Sequence, residues 1–374
     1  MSIPSTTSPA PADAGPPARF RLTAQESAEA ADLVQRVAKT FSSTSDPELL
    51  RQLPLLAAEL PLRLREFLRR FSLDELDGCC VVSGLLADDE RIGPTPDDWQ
   101  GRESPKPEFP EEMQLPLYSA LLGEPFGWST QQDGHFVNDV FPVRKYETER
   151  LGTGSKTQLT LHTEDAFHPY RADYILLSAL RNPNQVPTTV AELDIEQLSS
   201  DHLDVLFEER FRVIPDTSHL PKNNAIRSEA DRAYFRRIER LTTESAPASL
   251  LFGSRERPFL RFDETHMSPR EGDTEARAAF DALRALLLDS RYSCHLDAGD
   301  LLIINNHRAV HGRDPFTPRY DGTDRWLKRI NVTTDLRKSA DMRGRLGPRL
   351  VGLFPAHASQ EPFDRPGKVV EQLL

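Results

Sequence analysis

The sequence predicts a mainly β protein with flanking helices, built on a jelly-roll core. Three observations carry that expectation. After Pro116, short apolar runs recur with Gly, Pro, Asn and Asp between them, the texture of a sandwich or barrel. Only two helical patterns interrupt them, at 194–211 and 274–290. The remaining helical periodicity is gathered at the front of the chain, so those helices should pack outside the sheets.

Taken in order, residues 1–18 are rich in Pro, Ala, Ser and Thr and are expected to be a disordered tail. Residues 19–340 form one domain, with a helical N-terminal part over 19–75 and the jelly-roll core over 78–336; residues 341–374 are a C-terminal extension. The first helix opens on Thr23 with Glu26 three residues later, a capping box, and Leu33, Val34, Val37, Ala38 and Phe41 follow at helical spacing. A second begins at Asp46-Pro47 and should break at Pro54 and Pro61, after which "LRLREFLRRF" resumes the period. "GCCVVSGLL" (78–86) reads as the first strand, 88–116 as loop, and "LYSALLGEPFGW" (117–128) as a helix and turn. The strands then run through "HFVNDVFPV", "KTQLTLH", "DYILLSAL", "TTVAEL", "RFRVI", "ASLLFG", "PFLRF", "CHL", "DLLIIN" and "RWLKRINVTT". The polar stretch 214–235 is long for a simple connection and has the character of a lid.

Composition excludes several function classes. A formal charge of −12 argues against nucleic-acid and anionic-membrane partners. No apolar run is long enough to span a bilayer, and the N-terminus lacks a basic and apolar leader. Three cysteines, two of them adjacent, make no disulfide framework, so Cys79, Cys80 and Cys294 are expected reduced and buried in a cytoplasmic protein. A monomer or weak homo-oligomer is expected.

The chemistry gathers in "QLTLHTEDAFHPYRADY". On a strand, residues i and i+2 share a face, so His162 and Glu164 project together, opposite Leu159 and Leu161. An imidazole and a carboxylate side by side are two corners of the 2-His-1-carboxylate triad that holds non-haem Fe(II). "LLIINNHRAVHGR" offers the third ligand, with His307 and His311 as competitors in a polar segment after a buried strand. Arg325 lies fourteen residues beyond His311 and Arg329 four beyond that, on one strand face. An HxE pair alone occurs by chance; its combination with a distal histidine 149 residues later and two phased arginines is far more specific. His168, before Pro169 in a turn, reads as structural, and Trp128 and Trp326 as core packing.

The segments "FGWSTQQDG", "HTEDAFHPYRADYILLSALRNP", "LDVLFEERF", "DTSHLPKNN" and "RAVHGRDPFTPRYDGTDRWLKRIN" resemble the clavaminate-synthase-like branch of Fe(II)/2-oxoglutarate oxygenases, and within it the amino-acid hydroxylases of antibiotic pathways that act on arginine. The likeness covers about Phe20 to Leu336. It implies a double-stranded β-helix (cupin-like) core, Fe(II), 2-oxoglutarate and O2 as cofactors, and hydroxylation at the β-carbon, with the γ-carbon also in reach, of free L-arginine or a derivative. By the resemblance, His162, Glu164 and His311 hold iron; Arg325, helped by Thr189, binds 2-oxoglutarate; Arg329 takes the substrate carboxylate; Gln132 and Glu164 take its amino group. An acidic pair spaced i, i+2 should grip the guanidinium. Here Asp263 matches the first acid, Thr265 replaces the second, and Glu264 between them should face away. That departure leaves open a cyclised arginine such as enduracididine or capreomycidine, lysine, asparagine, or a non-catalytic jelly-roll protein that binds an amino acid.

Overall fold

The computed structural model describes residues 17–74, 78–99, 110–343 and 347–355; residues 1–16 of the expected 1–18 tail and the end of the C-terminal extension lie outside these, and Ala18, expected in the tail, already opens a strand. Two sheets face each other. The larger has eight strands, running Ala18–Arg21, Cys79–Ser83, Asp300–Asn305, Tyr174–Arg181, Trp326–Thr333, Glu124–Trp128 and Leu350–Val351, with Asn138–Val140 beside the start of Trp326–Thr333. The smaller runs Tyr292–Cys294, Thr188–Glu192, Ala309–Arg313 and Leu159–His162. The larger sheet thus recruits a strand from each flank of the expected core: Ala18–Arg21 pairs parallel with Cys79–Ser83, and Leu350–Val351 parallel with Gly127 and Trp128.

Strand alternation sorts the side chains into layers. Val81, Ile175, Leu177, Ala179, Leu302 and Ile304 of the larger sheet meet Val190, Cys294 and Ala309 of the smaller one between the sheets. Cys80, Val82, Leu176, Leu301, Ile303 and Val332 point the other way, onto the helices Ala24–Thr40, Pro47–Ala57, Leu62–Ser72 and Pro110–Ser119. Leu161, Ala191 and Val310 on the far side of the smaller sheet bury against the helices Ser200–Leu206 and Thr274–Asp289. All three cysteines are buried thiols outside any disulfide, Trp128 and Trp326 are core, and no helix among the described residues could cross a membrane.

Several expectations about elements need correction. The Pro47–Ala57 helix runs through Pro54, because Leu49, Leu50, Leu53 and Ala57 on one side are buried and hold it together. A helix from Pro110 to Ser119 occupies part of the expected 88–116 loop, with Pro116 inside it; every residue from Glu111 to Ser119 is buried, and packing overrides the missing N–H. Within it Glu112 pairs with Lys328 and, across the strand, Lys328 Nζ reaches Asp139 Oδ1 at 2.5 Å. All three groups are buried, so breaking the trio would cost about 3–5 kcal/mol. The pattern at 194–211 yields only a short turn and the Ser200–Leu206 helix before Phe211 enters a strand. The 214–235 stretch is loop only at first, as the Glu229–Leu241 helix takes its end.

Candidate active site

The "AVHGR" run that looked like a polar segment is a fully buried strand, Ala309–Arg313, and it sets the site. In its ladder with Leu159–His162, His311 lies directly opposite His162, and the imidazole centroids are 4.4 Å apart. His162 Nδ1–H donates to its own Thr160 carbonyl at 2.8 Å, which leaves Nε2 aimed inward. Glu164 is not on the strand at all. The strand ends at His162, and Asp165 takes a left-handed backbone with φ of 52°. Asn306 holds the turn instead: its Oδ1 accepts from Glu164 N at 2.7 Å, and its Nδ2 donates to the carbonyls of Glu164 and Ala172. Glu164 Oε2 then sits 3.6 Å from His162 Nε2 and 3.3 Å from His311 Nε2.

The three ligand atoms lie within 4.8 Å of one another. Two imidazoles sharing one buried carboxylate split in basicity: burial opposes the proton on His162, but Glu164 and Asp263 prevail and push its pKa up to about 9. Burial and the His162 charge hold His311 below the ordinary value. Burial raises and Arg329 lowers the Glu164 carboxyl, which ends well below the usual range. Once a metal displaces the proton that Glu164 and Asp263 hold on His162, two imidazole nitrogens and a carboxylate oxygen on one side of an open space fit a ferrous ion. His307 is committed elsewhere, with Nε2 2.7 Å from Asp173 Oδ1 and Nδ1 near Arg171.

An open cavity of about 110 Å³ borders this trio. Arg325 is buried in its wall, donates from Nη2 to Thr188 Oγ1 at 3.2 Å, and has an Nε without a partner. Burial, with Arg313 beside it, lowers its pKa to about 9. An unpaired guanidinium in a dry wall is costly until a carboxylate meets it. The neighbour is Thr188, not Thr189: the two alternate across their strand, Thr188 toward the cavity, and Thr189 Oγ1 is buried without a bond. Arg313 is also buried here, its Nη1 donating to the Gly154 carbonyl at 2.7 Å.

Arg329 enters the cavity from the larger sheet. Its Nη1 pairs with Glu164 Oε1 and its Nη2 donates to Gln131 Oε1 at 2.7 Å and Asn138 Oδ1 at 3.1 Å. Gln132 is elsewhere: its amide clamps the Asp139 backbone, donating to O and accepting from N. The strand is over by this point, and Gln132 and Asp133 both have positive φ, which turns Gln131 inward in place of Gln132. Asp263 and Thr265 line the far end, with Glu264 turned away onto Arg284. Asp263 accepts at Oδ1 from the backbone N–H of Thr265 and His266, and Oδ2 lies 3.0 Å from His266 Nδ1. Thr265 Oγ1 bonds Thr160 Oγ1 at 2.7 Å. Asp216, Ser218 and His266 also line the cavity, Ser218 accepting from Gln131 Nε2 at 3.0 Å. Sequence reading missed Gln131, Thr188, Asp216 and His266; "QQ", "TT" and "DETH" put Gln131, Thr188 and His266 each beside a candidate that was named, whereas Asp216 lies in the 214–235 stretch, read only as a lid.

Fold and site together define a dioxygenase, and the chain belongs to the taurine catabolism dioxygenase TauD, TfdA family, whose pattern matches residues 108–331. Among its relatives, enduracididine beta-hydroxylase of Streptomyces hygroscopicus is 39% identical over 317 residues, covering 83% of this chain and 93% of the relative. L-ornithine/L-arginine 3-hydroxylase of Catenulispora acidiphila is also 39% identical, over 87% and 97% of the two chains. The crystal structure of the non-haem iron oxygenase OrfP with Fe, succinate and (3S)-hydroxy-L-Arg superposes with a TM-score of 0.85 at 54% identity, over 89% of this chain and 99% of OrfP.

Proposed function

We propose that this protein is an Fe(II)- and 2-oxoglutarate-dependent hydroxylase that acts on the β-carbon of free L-arginine or an arginine derivative, in specialised metabolism. One observation carries the reading: two histidines and a carboxylate converge within 4.8 Å beside a buried arginine that has no carboxylate partner among the described residues. Likeness to OrfP, crystallised with hydroxylated arginines, supports the substrate.

In this reading His162, Glu164 and His311 would hold the iron. Iron with 2-oxoglutarate and O2 supplies the oxidising power that an unactivated C–H bond requires; the protein's part is orientation and exclusion. Arg325 and Thr188 fix the distal carboxylate of 2-oxoglutarate, a planar fork meeting a planar anion. Arg329 takes the substrate carboxylate, and Gln131 and Glu164 flank its amino group. Asp263 and Asp216 face the side-chain end, so the reacting hydrogen is selected by holding both ends of the substrate. Thr265 in place of an acid, with the identity to enduracididine beta-hydroxylase, favours a cyclised arginine as the second reading.

The test is anaerobic loading with Fe(II), then oxygen, across arginine, enduracididine, capreomycidine, lysine and asparagine. Succinate and an oxygen-inserted product should appear together with arginine or a cyclic derivative. Turnover with lysine or asparagine alone would overturn the substrate; no succinate with any of them would overturn the enzyme class.

A further inference from the structure

The segment from Ile214 to Asn224 crosses the cavity wall and contributes Asp216 and Ser218 to it. It is shaped by bonds to itself: Asp216 Oδ1 accepts from Ser218 N, Asn223 Nδ2 donates to the Thr217 carbonyl, and Asn224 Nδ2 to those of Ser218 and Leu220. Those bonds set its form and leave its attachment to other groups. Ile214 N–H donates to the His266 carbonyl at 3.0 Å and Lys222 pairs with Glu149 at 2.8 Å, but the buried attachment is His219, whose side chain has no exposure at all. Its Nε2 lies 2.8 Å from Asp165 Oδ1 and its Nδ1 2.6 Å from Thr130 Oγ1, while its ring meets Trp128 and Phe167 edge-on, at 5.6 and 5.0 Å.

Asp165 is the residue after Glu164, and its second oxygen accepts from Trp128 Nε1 at 2.5 Å. The Gln131 amide ties the two sides together: Nε2 donates to Asp165 Oδ1 and to Ser218 Oγ, and Oε1 accepts from Arg329. A continuous run of buried bonds therefore leads from the segment, through His219 and Asp165, to the arginine assigned to the substrate carboxylate. Asp216 Oδ2, at the other end of the same turn, is 3.6 Å from His219 Nε2.

We propose that His219 is a positioning residue for the reaction: a buried peg that docks residues 214–224 onto Asp165, and so sets Asp216 at the substrate's side-chain end and Gln131 against Arg329 at its amino-acid end. The inference rests on the function proposed above. Because His219 touches neither the trio nor Arg325, its loss bears on the amino acid and on coupling, not on 2-oxoglutarate. Both ends of the substrate clamp share one latch.

His219→Phe keeps the aromatic packing and removes every polar contact of the ring, those to Thr130, Asp165, Gln131 and Asp216. In the iron-loaded enzyme it should raise KM for arginine about tenfold or more and leave KM for 2-oxoglutarate within about twofold. Hydroxylated product per succinate should fall, and amide hydrogen exchange over 214–224 should quicken. Thr130→Val severs only the Nδ1 contact and should shift the same readouts in the same direction, more weakly; it decides the matter should His219→Phe not fold. Added imidazole should restore coupling to His219→Gly. Unchanged arginine KM and unchanged exchange in either folded variant, or equal rises in both KM values, would overturn the peg. Should the wild type hydroxylate none of the amino acids, the functional reading fails, and exchange over 214–224 still decides whether His219 docks the segment.

Discussion

Arg325 illustrates how one side chain can be read from what it lacks. It is buried, its hydroxyl partner Thr188 carries no charge, and burial has already lowered its pKa to about 9. Replacing such a group with a neutral amide removes the attraction for a carboxylate while keeping hydrogen-bonding capacity. Arg325→Gln should therefore cost about 2–5 kcal/mol of 2-oxoglutarate binding. Steady-state titration of each substrate checks this: the requirement for 2-oxoglutarate should rise far more than that for the amino acid, and equal effects would reassign the arginine. The same logic separates the histidines. His311→Ala should abolish iron retention by elemental analysis, whereas His307→Ala, whose ring is spent on Asp173, should leave it largely intact. Iron kept by the His311 variant would undo the assignment.

At the scale of elements, the jelly-roll strands and the trio were legible because hydrophobic alternation fixes which side of a sheet a residue faces. His162 and Leu161 sit on opposite faces as expected, and the buried strand "DLLIIN" appears as Asp300–Asn305. What escaped were places where alternation stops or its phase is invisible. Glu164 was placed by a straight strand that ends two residues earlier; it reaches the site through a turn that Asn306 braces. Gln131 was mistaken for Gln132 because a left-handed turn reverses them, and Thr188 for Thr189 because a "TT" pair carries no hydrophobic phase. The Asn306 brace is itself testable. Asn306→Ala strips one acceptor and two donor contacts, leaving the Glu164 N–H and two carbonyls unpaired in a buried turn. An unpaired buried group costs about 1–3 kcal/mol, and a lost outer partner typically weakens a metal site about 10–100-fold. The variant should fold with a lower denaturation midpoint and hold Fe(II) more weakly by competition with a chelator. Iron affinity equal to wild type would show that the turn stands without its brace.

For the whole molecule, the layers between and outside the sheets are apolar, and the buried ionisable groups among them tie overall stability to pH. His168 lies in this interior, its ring 4.6 Å from that of Trp128, with Nδ1 accepting from Tyr170 N at 3.1 Å. Burial, aided by the charge on His219, pushes its pKa down to about 3. In the unfolded chain the same imidazole titrates near its ordinary value of 6.5. Between those two values the unfolded chain binds a proton that the folded one does not, so protonation favours unfolding. The stability owed to a neutral His168 is complete above about pH 6.5 and is lost as pH falls toward about 3, by up to about 1.4 kcal/mol per unit. Buried His307 and His311, also held low, act in the same direction, so the contribution of His168 has to be isolated by difference. His168→Gln removes the titration. Chemical denaturation of wild type and variant at pH 7 and pH 5 should show the wild type losing about 2 kcal/mol more than the variant over that interval. Equal losses would mean that the ring takes up its proton in place, and that the packing around Trp128 is more open to water than its burial implies.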